Sequence, residues 1–505
     1  MQRKQLTLVI VSLLVVVLSV SLAYFTTQII GKGKTVDVSS ANLQIVFTDS
    51  DGALTETDIE PGWSATKTFT IKNDTKTEYK YNIVIKDLLN TFVTEGYLKY
   101  KITSTNNGYN MTEFKDVPKS DTAKDKILAY SVSIPVGVTQ SYTIEFKYAN
   151  DESVDQSADM GRKLSGTLFI TEGTEQPTLL SQILKDNPTR NTRDTYNSVF
   201  TNNTTGTLFT ATEKNVHNIA DTTVYYYAGN TTNNWVKFAG YYWRIIRTNA
   251  DGSVRMLYSG TEAEGTTGTN GMINTSTAFN SSYNSPKYVG YMYGENDDTL
   301  ANARTNTKNS TIKDKIDTWY AQNMTSYTKY LSTTAVYCND RTEQTPGTYT
   351  TSTSSSFYYA PSARASSYAP TYDCTEASDA FSGSNTSAKL TYPIALMTVD
   401  EIMRAGGKVG TSLTSPYAWY YLNSANGSIT GSTWLWVLSP IAWNSVYANV
   451  FSVGGSSYPG YLNDGYVGSA GGVRPAVSLK SCVKTSGGDG SANAPYTIEE
   501  STSGC

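Results

Sequence analysis

Catalysis and metal binding need ionisable side chains in register, and this chain is poor in them. Its 505 residues include one histidine, His217. A His-centred triad or a multi-histidine metal site has almost no material to work with. No HExxH motif occurs, and Cys338, Cys374, Cys482 and Cys505 form no CxxC pair. No metal, no cofactor and no enzymatic activity are expected. The chain does carry side chains suited to reversible contact. Between Val437 and Leu479 lie Trp443, Asn444, Ser445, Tyr447, Tyr458, Tyr461, Asn463, Asp464, Tyr466 and Ser469. They alternate with Val450, Phe451, Val453, Val473, Ala476, Val477 and Leu479, which fall at strand spacing. Tyrosine offers large contact area with few rotors, and Ser, Gly and Asn adapt their hydrogen bonds. The ten polar and aromatic residues are the candidate ligand-binding set. Before Arg474 the stretch has one charge, Asp464. A nucleic-acid surface needs many Lys and Arg, so nucleic acid is not an expected partner. A plainer reading of the same residues is Gly- and Asn-rich turns between short strands, with Tyr filling gaps.

Such a surface needs elements to hold it. A chain this long holds two or three domains. The formal net charge of −4 is small and says little about partners. Abundant Thr, Ser, Asn, Gly and Tyr suit a β-rich extracellular protein. In that setting the four cysteines pair. Three connectivities exist; the sequential pairs Cys338–Cys374 and Cys482–Cys505 are favoured, each worth roughly 3–4 kcal/mol in the chain-entropy model. Free thiols are the competing reading. Residues 1–30 hold a basic start (Arg3, Lys4) and an uncharged run, Leu6–Phe25. As a helix, about 20 residues rise about 30 Å, enough to span a bilayer. The basic flank places the chain beyond Phe25 outside the cell. Ser21 and Ala23 also fit a cleavage site, so the segment is a transmembrane anchor or a signal peptide. Both export the remaining residues.

Residues 36–172 read as an antiparallel β-sandwich. Phe69 and Ile71 alternate with Thr68, Thr70 and Lys72, and Tyr81, Ile83 and Ile85 repeat the pattern. Residues 173–221 read as a linker with one short helix, LLSQILKDNPT, a Thr/Asn-rich loop at Thr201–Thr207, and His217 alone in polar surroundings. Residues 222–484 read as one α+β domain. Its hairpin has strands Trp243–Arg247 and Ser253–Tyr258 around the turn Asn249–Gly252, apolar on both faces and hence central. Its best helix spans Ser310–Ser332, with Ile312, Ile316, Trp319, Tyr320, Met324 and Tyr327 on one face. A shorter helix has Thr398 and Glu401 as a capping box and Gly406 as its stop. Asp340–Lys389 is a long excursion clipped by Cys338 and Cys374, and the aromatic runs Pro416–Ser424 and Thr433–Leu438 pack beneath the final stretch. Residues 485–505 read as a Gly/Ser-rich tail.

Two resemblances add to this. The leader ending Ala23–Phe25, the strand GWSATKTFTIKN (Gly62–Asn73), and PVGVTQSYTIEFKY before DQSADMGRKLSGTLFI resemble camelysin/TasA-type β-sandwich proteins of Gram-positive surfaces and biofilm matrix. Camelysins have been associated with protease activity; the segment has no histidine and no ligand set for it. From Asn233 to Lys484, YYWRIIRTNADGSVRMLYSG, YLSTTAVYCNDRT, YPIALMTVDEIMRAGG, WLWVLSPIAW, ANVFSV and GGVRPAVSLKSCV occur in the order of a C-type-lectin-like domain of the formylglycine-generating-enzyme type. That fold also carries the variable regions of diversity-generating retroelement proteins, and Ala442–Ala470 looks like their pattern. Formylglycine-generating enzymes use active-site cysteines, and the cysteines here fit no such motif. Asn463–Asp464 resembles half of a lectin calcium motif, but its EPN- or QPD-like partner is missing. The resemblances imply an exported, Gram-positive-type cell-surface protein, membrane-anchored or secreted, that binds an extracellular protein or glycan ligand. The alternative they leave is a structural matrix or fibre subunit assembling through the β-sandwich.

Overall fold

The computed structural model describes residues 59–214, 221–263, 271–412, 434–455, 458, 460–501 and 504–505, with the backbone of strands at 35–40, 43–49 and 54–56. The anchor or signal reading of Leu6–Phe25, His217 and the run Pro416–Ser424 lie outside them. Among the described residues no helix is long and apolar enough to cross a membrane. Strand outweighs helix, 39% against 14%, so the chain is mainly β. It divides into two units, Met1–Gln176 and Pro177–Cys505.

In the first unit the period-two patterning builds two antiparallel sheets. One runs in the order Thr35–Ser40, Leu43–Asp49, Ser64–Asn73, Thr139–Tyr148, Leu98–Ser104, Lys115–Asp116. The other runs Leu54–Glu56, Leu164–Glu172, Tyr79–Asn90, Ser120–Ile134. Phe69 and Ile71 are buried while Thr68 and Lys72 are exposed. Ile83 and Ile85 of the second sheet enter the same core as Tyr142, Ile144 and Phe146 of the first. Polar groups trapped there are satisfied, since an unpaired one costs about 1–3 kcal/mol. The buried Tyr81 hydroxyl donates to Gln140 Oε1 at 2.5 Å, and the buried Asn73 amide donates to the Ile134 carbonyl at 2.8 Å.

In the second unit the expected hairpin is central to a ten-stranded mixed sheet. Tyr241–Thr248 bonds to Val254–Tyr258, Trp235–Phe238 and Thr222–Tyr226, so it has no free edge. Trp243, Ile245 and Ile246 are all buried, which is why both of its faces are apolar. The turn closes through Asn249 N donating to Ser253 O, with Gly252 at φ 76°. A second sheet orders Asn274–Thr277, Gly471–Val473, Leu435–Trp443, Ala448–Val453, Leu462–Tyr466. Around these pack helices with clear caps. Ser310 caps Thr311–Asn323, whose Ile312, Ile316 and Tyr320 are buried. Thr398 and Glu401 form the capping box of Val399–Ala405, and Gly406 ends it at φ 122°. The disulfides are Cys338–Cys374 and Cys482–Cys505, the sequential pairs.

Three boundaries differ from the sequence reading. The helix expected over 310–332 stops at Asn323, and Thr325–Tyr330 tightens to a 3-10 turn in which the Thr328 hydroxyl donates to the Thr325 carbonyl. Of the residues expected as a linker, 173–176 fall in the first unit and the described ones from Pro177 onward in the second. The helix Leu179–Asp186 buries Leu179 and Ile183, and Thr189–Thr192 and Thr207–Glu213 extend the ten-stranded sheet. The expected tail also belongs there, because Thr485–Gly487 and Tyr496–Ile498 are strands of that sheet and Tyr496 is fully buried.

Candidate recognition surface

The surface is built on Ala448–Val453. Each of its six residues is buried, and it lies between Leu435–Trp443 and Leu462–Tyr466. Pairing Val450 with Gly465 and Val453 with Leu462 fixes the register. Trp436 anchors the layer below, its indole N–H donating to the Thr277 carbonyl at 2.6 Å. No side chain fits at Gly465, because a Cβ there would stand 2.7 Å from the Trp436 ring.

Polar residues occupy the turns and edge that this framework leaves open. Asn444 Oδ1 accepts from the backbone N–H of Val446 at 3.0 Å and of Tyr447 at 2.6 Å, which ties the turn. Ser445 takes φ 74° there. The turn delivers Tyr447 beside Tyr466, with ring centroids 4.5 Å apart. Tyr283 completes a cluster, 5.7 Å from Tyr447 and 5.1 Å from Tyr466. Its carbonyl accepts from Ala448 N, so the third ring is fixed to the same strand. Desolvation first, and then the Tyr283 and Tyr447 phenols, push the Tyr466 hydroxyl up to about 12. The three rings offer aromatic faces and hydroxyl groups side by side.

Along the edge strand Asn463 and Asp464 are exposed. At its other end Gly454 N donates to Tyr461 O and Tyr461 N to Tyr458 O. Tyr458 is 64% exposed there, 5.9 Å from the half-buried Tyr461. Ser469 is half-buried, and its N–H donates to the Tyr466 carbonyl. Asn444 and Tyr447 are exposed, and Ser445 and Tyr466 half-buried. Trp443 is the correction. It is 1% exposed, its indole donates to the Ser352 carbonyl, and it belongs to the core beneath the turn. Of the remaining nine, Asn444, Ser445, Tyr447, Tyr466 and Ser469 gather at one end of the strand Leu462–Tyr466 and Tyr458 and Tyr461 at the other, about 13 Å away at strand rise, with Asn463 and Asp464 between them on opposite faces of the strand. Such a strip fits within the roughly 800 Å² that a partner covers in a standard interface.

Sequence reasoning missed Tyr283 because it lies outside the C-terminal stretch. The signal was present, since Ser281–Pro286 repeats the Tyr/Ser/Asn composition. It also missed the buried charges. Glu401 accepts from Arg247 at 2.9 Å, from Arg255 at 2.5 Å and from the backbone N–H of Thr398 at 3.0 Å. Arg247 also holds Glu213 at 3.0 Å, and Arg364 holds Asp340 and Asp400 at 2.6 and 2.9 Å. The space among these groups is about 10 Å³, too small for a substrate. The network joins strands to helix. Among the described residues no group of three or more His, Cys, Asp or Glu could hold a metal ion.

No family model matches the chain. No curated protein matches it either. Among solved structures, one described as "AvmM Catalyzes Macrocyclization in Alchivemycin A Biosynthesis" aligns over 29% of this chain and 100% of its own, at 12% identity and a TM-score of 0.16. At that score the match carries no argument about fold or function.

Proposed function

We propose that the chain is an exported bacterial cell-surface protein whose second unit recognises an extracellular protein or glycan through the Tyr/Asn/Ser/Gly face of its 435–466 strands. The observation that carries this is the sorting of side chains. On adjacent positions the apolar residues Val450, Phe451, Val453 and Leu462 are buried, while Tyr447, Tyr458, Asn463 and Asp464 are exposed. Large exposed aromatics on a stiff framework are what a binding surface needs. We include in this reading a C-type-lectin-like second unit, a camelysin/TasA-type β-sandwich as the first, and export by the N-terminal segment. Disulfides support an oxidising setting.

The test is binding of the full chain, without its first 30 residues, to protein and glycan arrays, repeated with Tyr447→Ala, Tyr466→Ala and Tyr458→Ala. A ligand whose signal falls about tenfold or more in these variants, at unchanged melting temperature, supports the reading. Binding that persists in the triple variant refutes it.

A further inference from the structure

A second polar feature lies in the same unit, on elements that the recognition surface does not use. The edge strand Thr189–Thr192, the 200–204 loop and Asn230 enclose a groove of about 590 Å³. The loop is the Thr/Asn-rich run that composition alone leaves unexplained.

Its wall is held from behind. Phe200 N donates to the Gly406 carbonyl, and Asn230 N donates to the Thr201 carbonyl. A Cβ at Gly406 would stand 2.3 Å from the Phe200 carbonyl oxygen, and one at Gly229 would stand 3.1 Å from that of Asn202. Both glycines have positive φ, 122° and 70°, so the loop sits on backbone that no other residue would leave room for. The Phe200 ring meets the buried Phe209 edge-on at 5.3 Å. Arg193 stacks over Tyr196 and Phe200, at 4.6 and 4.4 Å, and its Nη1 donates to the Arg404 carbonyl at 2.5 Å. The groove is thus preformed, which lowers the cost of binding.

The lining decides the ligand class. Asn191, Asn202 and Asn230 are exposed at the groove. Their carboxamides make no hydrogen bond to another described residue. A carboxamide presents donors and acceptors side by side, which matches adjacent hydroxyls that both give and accept. An apolar ligand would need a mostly apolar lining. A nucleic acid would need a run of cations, and Arg193 is the groove's one cationic side chain, already committed to its own wall. We infer that this groove is a carbohydrate subsite, taking the hydroxyl edges of one or two sugar residues on Asn191, Asn202 and Asn230.

The groove and the tyrosine surface lie on different elements, and one titration separates them. The full chain without its first 30 residues is titrated, by saturation-transfer NMR and calorimetry, with neutral di- to hexasaccharides of glucose, galactose, mannose and N-acetylglucosamine. The expected result is binding of at least one of them, weakened about tenfold or more in Asn202→Ala/Asn230→Ala and unchanged in Tyr447→Ala/Tyr458→Ala. The two carboxamides have no internal partner to lose, so the melting temperature of the groove variant stays that of the parent. The inference is overturned if none of these sugars binds. It is equally overturned if binding survives the groove variant or is lost only in the tyrosine variant.

Discussion

Glu401 shows how one side chain serves both local and long-range structure. It completes the capping box of its helix and bridges two arginines from neighbouring strands. Burial alone would raise its carboxyl, but the Arg255 and Arg247 guanidiniums and the Thr398 N–H outweigh that and hold it below the ordinary glutamate value. A group whose folded value is depressed stabilises above its unfolded value and loses that contribution as pH falls through the folded one. Unfolding free energy should therefore be level from about pH 7 to 5 and fall below about pH 4, the unfolded glutamate value. Glu401→Gln should flatten that fall in urea unfolding curves. It should also cost about 3–5 kcal/mol at neutral pH, because the buried Arg255 loses its counter-charge and Arg247 keeps only Glu213. Gly468 supplies a second residue-scale test. A Cβ there would lie 2.9 Å from the Tyr466 ring and hydroxyl. Gly468→Ala should move the Tyr466 ring, seen as shifted NMR ring signals of Tyr283 and Tyr447, with the melting temperature held within about 2 °C.

Elements with strong periodicity were legible from their residues. Phe69 and Ile71, the hairpin around Gly252 and the capping box at Thr398 each combine a spacing with a turn or cap that admits little else. Elements without an apolar signal were not. Thr189–Thr192 is exposed at every position, so nothing in TRNT reports that it pairs with 207–213. Tyr496–Ile498 is only three residues long and follows a Gly/Ser-rich stretch, yet Tyr496 is fully buried. Of the candidate site, composition marked the Tyr/Asn/Ser residues of 444–469 and repeats at Ser281–Pro286, but nothing in it reports that Tyr283 packs against Tyr447 and Tyr466, because proximity between residues so far apart in the chain leaves no local pattern. Trp443 was misplaced because an aromatic beside a turn looks the same whether it points in or out. The strand framework predicts its own weak point. Gly465→Ala should destabilise the second unit by about 1–3 kcal/mol in urea, since the Trp436 ring has no room to retreat.

At the scale of the whole chain, each unit encloses its own core. Gly173 N still bonds to Lys80 O in the first unit, while Leu179 N bonds to Val483 O in the second. The boundary therefore falls within a few residues of chain, and a fragment starting at Pro177 keeps its own core intact. That fragment should unfold cooperatively with the midpoint of one of two transitions resolved in the full chain by calorimetry. Reduction should lower that midpoint and spare the other. Both disulfides lie in the second unit, and each closes a loop worth roughly 3–4 kcal/mol.

The sorting of side chains along 447–466 has an evolutionary consequence. Positions 447, 458, 463 and 464 add little to burial, and the strand register is set by neighbours that never reach solvent. Selection can rewrite those exposed letters while leaving the fold's stability almost untouched. Closely related chains should then drift fastest there, each keeping one skeleton beneath a changing surface.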